Sequence, residues 1–260
     1  MFIVKFGGSV ITNKAKECCF KQEIVDDLAA QVKRAGKEII LVHGAGSFGH
    51  ILAKQYKLNK GFKQKKQLQG FALTQAQVQR LNNLVLASLQ NHGLAAVSIP
   101  PHAVVTLNNH RVSRLDYHMF DHYLRLGFLP VTFGDVALDR TLGFSICSGD
   151  LLVQMLAARF KPEKVIFVLD EDGLYTANPK TEPNASFIET VTVKDLQKLT
   201  TSSNAHADVT KGMEGKLETI THIAKAGVDT ILLNGNVHNR LYNILKGKQT
   251  RYTVIYGDKA

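Results

Sequence analysis

Cysteine is scarce in this sequence: Cys18, Cys19 and Cys147 are the only three in 260 residues. Two are adjacent and none forms a C-x-x-C pair, which argues against a disulfide framework or a cysteine zinc site and suits a reducing compartment. Prolines number six against 45% hydrophobic residues, so a disordered chain is excluded. No apolar run approaches the ~20 residues of a membrane span. The opening MFIVKFGGSV places Lys5 and glycines where a signal peptide stays apolar. The expectation is a globular cytoplasmic protein with no membrane partner, large enough to bury a full core.

A net charge of +10 leaves two readings. The lysines either coat a nucleic-acid-binding face or serve small polyanions while the remainder are solvated. The densest basic run, Lys57 to Gly70, has one aromatic residue and no RNA-binding motif. No nucleic-acid partner is therefore expected, and the run reads as a mobile loop or a solvated helix face.

Seven apolar stretches read as strands: MFIVKF, KEIILVH, LAAVSIP, GFLPVTF, KVIFVLD, DTILLNG and RYTVIYG. Between them lie helical patterns. Ile24, Leu28 and Val32 repeat every four residues before Gly36, and Val78, Leu81, Leu84, Val85 and Leu89 precede Gly93. Such alternation indicates an α/β fold, a three-layer αβα sandwich around a mainly parallel open sheet. The turn-rich region from Asp170 to Asn184 marks the final hundred residues as a second lobe of one fold, residues 1–260, with lobes expected at 1–162 and 163–260.

Gly44, Gly46 and Gly49 spell G-x-G-x-x-G after an apolar run, the context of a dinucleotide-binding turn. The rest of that unit is missing. A second strand ending in an acid should follow within about 20 residues, yet that interval holds Lys63, Lys65 and Lys66, and the next strand begins near Leu94. No Walker A pattern occurs either. What remains is a glycine loop at a helix start, here placed near Phe48, which suits an anion. Lys5, Gly7, Gly8 and Ser9 repeat the arrangement after the first strand, so two anions can lie side by side. Ser148, Gly149 and Asp150, then Asp170, Gly173 and Tyr175, then Asp208, Thr210, Lys211, Gly212 and Lys216 supply further polar clusters. Each has a plain alternative: Asp150 as a helix cap, Asp170 to Gly173 as an ordinary turn, Lys211 and Lys216 as solvated surface. Taken together, they fall at strand C-termini and helix N-termini, where open α/β sheets bind ligands. His118 and His122, with Asp121 beside them, have zinc-binding spacing but no third ligand, and read as an exposed helix face.

In order and spacing, KFGGS, HGAGSFGH, SGD, DEDGLYTANP and DVTKGMEGK resemble the amino acid kinase superfamily over essentially the whole chain. Within it, Lys14 and His50 make the sequence most similar to the branch that phosphorylates isopentenyl phosphate to the diphosphate with ATP; fosfomycin kinases share the histidine. The resemblance implies ATP and Mg2+, a homodimer, an acceptor-binding lobe at 1–162 and a nucleotide-binding lobe at 163–260. It implies that Lys5, Gly7, Gly8 and Ser9 contact the ATP phosphates and that Lys14 stabilises the transition state. Gly44, Gly49, His50 and Gly149 would hold the acceptor phosphate, with Ala45 and Gly46 near the transferring group. Asp150 would orient the lysines, and Asp170, Gly173, Tyr175, Gly212 and Lys216 would line the nucleotide site. Two positions depart from the pattern: Ala45 and Lys211 stand where relatives often carry glycine, and Ala45 is tolerable only at negative φ. Phe71, Val78 and Ile146 are expected to line an apolar pocket. The alternatives are a fosfomycin-type kinase and, from another class, a non-catalytic nucleotide- or nucleic-acid-binding module.

Overall fold

A computed structural model describes residues 1–13, 15–196 and 211–258, with the backbone alone for 211–214. Lys14, Asp208 and Thr210 lie outside the described residues. All seven apolar stretches become strands of one eight-stranded sheet. Its order is Thr190–Val191, Thr253–Ile255, Thr230–Asn234, Lys164–Leu169, Phe2–Phe6, Ile39–His43, Leu129–Phe133 and Ala96–Ser98. Every neighbouring pair is parallel except Thr230–Asn234 with Thr253–Ile255. Continuous burial of the central strands follows from their position between two helical layers.

The alternation of strand side chains builds those layers. Phe2, Val4 and Phe6 join a core with Val25, Leu28 and Val32 of helix Gln22–Ala35 and with Leu241 and Leu245 of helix Arg240–Leu245. Ile3, Val165 and Phe167 face the other way, against Leu152, Val153 and Leu156 of helix Gly149–Phe160 and Leu217 and Ile220 of helix Lys211–Lys225. Helix Gln22–Ala35 ends as its sequence dictates: Gly36 takes φ 59, and its N–H bonds back to Val32 and Lys33.

A second, four-stranded sheet was not legible as apolar runs. It orders Arg111–Leu115, Val105–Asn108, Asp135–Asp139 and Gly143–Cys147. Asp139 ties its turns together. Its buried carboxylate accepts the N–H groups of Asn109, His110, Thr141 and Leu142 at 2.9, 2.9, 3.0 and 2.9 Å. Burial alone would raise this carboxyl, and the four N–H donors outweigh it and hold the pKa below the usual value. Asp139→Ala is expected to destabilise the protein by about 3 kcal/mol, because two turns lose their shared charge-assisted acceptor. The depressed pKa means that this stability is present above an unfolded value of about 4 and is lost as pH falls below it. Urea denaturation at pH 7 and pH 3 checks both points: the gap between wild type and Asp139→Ala should narrow at the lower pH.

The Lys57–Gly70 run is an ordered turn leading into helix Lys66–Asn91. Gln67 organises it: the side-chain oxygen accepts from the Lys63 and Gln64 N–H groups, and the side-chain NH2 donates to the carbonyls of Tyr56, Lys57 and Gly61. The lysines around it are solvated. On helix Tyr117–Arg125, His118 and His122 are exposed and Asp121 pairs with Arg125. Among the described residues, no group of three or more His, Cys, Asp or Glu side chains could hold a metal ion. No helix among them is long and apolar enough to cross a membrane.

Candidate active site

The C-terminal ends of the central strands open into a cavity of about 280 Å3. Lys5, Gly7, Gly8, Ser9, Gly44, Ala45, Gly49, His50, Gly149, Asp150, Asp170 and Lys216 all line it. Sequence reasoning had scattered these residues over five motifs, and the parallel sheet brings them to one edge.

Three glycines make the crossing of the first two loops possible. A Cβ on Gly44 would stand 2.7 Å from the Gly8 nitrogen, and one on Gly8 would stand 2.8 Å from the Gly46 nitrogen and Cα. Here main chain packs directly on main chain, so no side chain fits. Gly46 also takes φ +50 and abuts Thr12, whose hydroxyl accepts the Ser47 N–H at 3.0 Å. Gly46 therefore supports the loops and does not line the cavity. Ala45 meets the condition its methyl imposes, with φ −69 at the N-cap of helix Gly46–Gln55, which starts two residues before Phe48. After this helix and a short 3-10 turn comes the long helix Lys66–Asn91, and the next strand starts at Ala96. The dinucleotide reading of the glycine pattern has no second strand to stand on.

The two histidines flanking the loop differ physically. His43 is fully buried, stacks on Phe133 at 5.2 Å, and lies 3.2 Å from the Asn82 side-chain oxygen. Burial, with the Lys5 charge as a smaller contribution, holds its pKa down to about 4, so it is neutral. His50 is exposed and lines the cavity, which places it at the rim.

The strongest electrostatic feature is a Lys–Asp–Lys bridge. Lys5 Nζ donates to Asp150 Oδ1 at 2.6 Å, and Lys216 Nζ donates to the same oxygen at 3.4 Å. Both ammonium groups lie over the Phe167 ring, at 5.6 and 5.2 Å from its centroid. Burial would raise the Asp150 carboxyl, but the two lysines hold it at about 2. Burial, and then the Lys5 charge, lower Lys216 to about 8. Asp150 is not the helix cap: Ser148 takes that place, its Oγ accepting the Leu151 N–H at 3.1 Å, which leaves Asp150 to the lysines.

Asp170 accepts the Ser9 hydroxyl at 2.8 Å and pairs with Lys180, which also holds Glu171 at 2.7 Å. The turn thus closes over the first glycine loop. Gly173 and Tyr175 are not brought to the cavity wall. A Cβ on Gly173 would strike Thr253 at 2.3 Å, and Tyr175 packs edge-on against Phe187 at 5.5 Å, because both belong to a small hairpin behind the cleft. Gly212 lies in the first turn of helix Lys211–Lys225.

Val78 and Ile146 line the cavity as expected, together with Ala53, Thr74 and Val136. Phe71 does not; it packs on Phe144 at 5.2 Å behind that wall. Sequence reasoning missed Gly134. A Cβ there would sit 3.2 Å from the Gly149 nitrogen and 3.4 Å from the Ala45 nitrogen, so the residue keeps open a space faced by two helix N-termini. Its signal was available, since glycine and Asp135 follow the apolar strand GFLPVTF directly.

A cleft with paired lysines, glycine loops and converging helix N-termini has the chemistry to hold phosphates. Residues 1–234 match the amino acid kinase family, and the chain belongs to that family. It is 38% identical to isopentenyl phosphate kinase of Methanothermobacter thermautotrophicus over 99% of both chains. It is 30% identical to isopentenyl phosphate kinase of Thermoplasma acidophilum, over 95% of this chain and 96% of that one. An X-ray structure of isopentenyl phosphate kinase superposes with TM-score 0.87 at 35% identity, covering 98% of this chain and 99% of the other.

Proposed function

We propose that this chain transfers the γ-phosphoryl group of ATP to isopentenyl phosphate, giving isopentenyl diphosphate and ADP. The full-length similarity to isopentenyl phosphate kinases supports the substrate. One observation carries the chemistry: the buried Lys5 and the partly buried Lys216 share a single carboxylate in a cleft flanked by two glycine loops.

An oxygen of the acceptor phosphate attacks the γ-phosphorus, the bond from that phosphorus to the bridging oxygen breaks, and ADP leaves. A phosphomonoester has its second pKa near 6, so at neutral pH it is mostly a dianion and already a nucleophile. No general base is required. The work is positional and electrostatic: two polyanions are held in line while charge on the transferring group is stabilised. In this reading Lys5 and Lys216 supply that charge, and Asp150 keeps their ammonium groups side by side. Gly7, Gly8, Ser9 and Asp170 shape the ATP phosphate seat, Gly212 begins the helix that presents Lys216, and Lys14 adds a further cation. Gly44, Ala45, Gly49, Gly134 and Gly149 form the acceptor phosphate seat, and His50 donates to it from the rim. The lobe of residues 1–162 takes the acceptor and that of 163–260 the nucleotide, Gly173 and Tyr175 supporting the latter from behind.

The carboxylates of the cleft are already occupied, Asp150 with two lysines and Asp170 and Glu171 with Lys180. That donor set fits Mg2+ brought in on the nucleotide, held by phosphate oxygens and water and not by a protein cage. When bound, the ion neutralises phosphate charge. In this reading the protein works as a cytoplasmic homodimer.

Ala53, Thr74, Val78, Val136 and Ile146 give the acceptor's hydrocarbon tail an apolar seat. ADP release measured across isopentenyl phosphate, fosfomycin, glutamate and carbamate tests the substrate. Turnover of isopentenyl phosphate well above the others is expected; turnover of fosfomycin alone would overturn the reading. His50→Ala should raise KM for the acceptor at least ~10-fold, the cost of one charge-assisted hydrogen bond, while KM for ATP stays within about twofold. Equal losses for both substrates would remove His50 from the acceptor seat.

A further inference from the structure

We infer that the lysine-covered surface beside His50 collects the anionic acceptor electrostatically, an inference that rests on the reaction proposed above. Between Glu38 and Asp116 the chain has no acidic residue at all. Within that interval Lys54, Lys57, Lys60, Lys63, Lys65 and Lys66 are all exposed. The ion pairs made by lysine and arginine among the described residues lie elsewhere, at Lys5, Arg125, Lys180, Lys216, Arg240 and Arg251. The field of the six lysines is therefore not cancelled locally.

The surface is fixed in place and adjoins the acceptor side of the cleft. Lys54 follows His50 by four residues on helix Gly46–Gln55, so it shares a face with His50 about 6 Å further along the axis. The turn beyond is pinned by Gln67 from inside. The Phe62 N–H donates to the Leu142 carbonyl at 2.7 Å, which joins the turn to the strand pair that gives Val136 and Ile146 to the cavity. The opposite rim is balanced. Asp170, Glu171 and Asp172 there are met by Lys180, Arg240 and Arg251. At 0.1 M salt the screening length is about 10 Å, enough for the nearer lysines to act at the mouth. A cleft rim of one sign raises the local concentration of an oppositely charged substrate and speeds its capture.

The test is the variant Lys54→Gln/Lys57→Gln/Lys60→Gln/Lys63→Gln, none of whose positions belongs to the binding or catalytic machinery. Steady-state kinetics are measured from about 20 to about 300 mM KCl, a range over which the screening length shrinks several-fold. In the wild type, kcat/KM for isopentenyl phosphate should fall by roughly 10-fold with salt. In the variant it should start several-fold lower and respond weakly to salt, while kcat and kcat/KM for ATP stay within about twofold. An unchanged salt slope, or equal losses for acceptor and ATP, would overturn the inference. So would loss of binding to anionic lipid vesicles or RNA with acceptor kinetics intact, which would give the surface to a macromolecular partner. If the variant fails to fold, the wild type alone decides: a salt slope no steeper for the acceptor than for ATP contradicts the inference. Absence of isopentenyl phosphate turnover by the wild type at every salt concentration would instead defeat the reaction itself.

Discussion

Asp150→Asn is expected to lower kcat by about 10²–10³-fold, on the scale of losing a preorganised charge contact to the transferring group. The substitution keeps the shape and removes the charge that two ammonium groups share at 2.6 and 3.4 Å. Lys5 and Lys216 then face one another in a largely buried site with no negative charge between them. The cheaper outcome for the protein is to lose a proton, and Lys216 is the one that gives it up. Its pKa already sits at about 8 because of burial and the Lys5 charge, with Asp150 as the group opposing that fall. The sign of the pH effect follows. Lysine acts as its cation, so wild-type kcat/KM should decline as pH rises through about 8. On the acid side it should decline as the acceptor's phosphate dianion takes up a proton near pH 6. In Asp150→Asn the alkaline limb should move to lower pH while the acid limb stays, because the latter belongs to the substrate. A pH–rate profile of both proteins checks this; an alkaline limb in the same place would separate Asp150 from the lysines.

The second large effect is steric. Gly8→Ala is expected to abolish measurable transfer and to destabilise the fold by about 3 kcal/mol, the upper range for an overpacked core. The new methyl would meet the main chain of Gly46 at 2.8 Å on two atoms, and backbone there cannot rotate away as a side chain could. Both anion loops would have to separate, displacing Ser9 and Ala45 together. Gly36→Ala is the matched control. Gly36 has positive φ, at 59, and nothing lies within 4 Å of its added Cβ, whereas Gly8 is crowded without a positive φ. That substitution should cost about 1 kcal/mol of backbone strain and leave kcat unchanged. Thermal unfolding and initial rates of the two variants separate a crowded glycine from one that is only bent.

How much of this the sequence disclosed depends on the kind of order each element has. The central strands are covered on both faces, so KVIFVLD and KEIILVH are continuous apolar runs that identify themselves. The four-stranded sheet has one wet face. Arg111–Leu115 is mostly exposed, and Asp135 and Asp139 sit buried at the ends of one strand. Runs of hydrophobicity cannot find such strands, because their order lies in alternation and in hydrogen bonds to carboxylates. In the site, glycine loops and charged residues at strand ends were legible as anion seats. What was not legible was which glycine serves the ligand and which serves its neighbour. Gly46 and Gly173 look like binding residues in a motif, and both are there because Thr12 and Thr253 stand too close for any side chain. Gly134 does the converse: outside every motif that was read, it keeps the space before Ala45 and Gly149 open.

The central claim is that the attacking oxygen belongs to a phosphate. Phosphorus NMR of isopentenyl phosphate incubated with ATP and Mg2+ tests it directly. The account predicts that the monoester resonance gives way to the two coupled resonances of a diphosphate, with ADP formed in equal amount. An unchanged monoester resonance while ATP is consumed would contradict it.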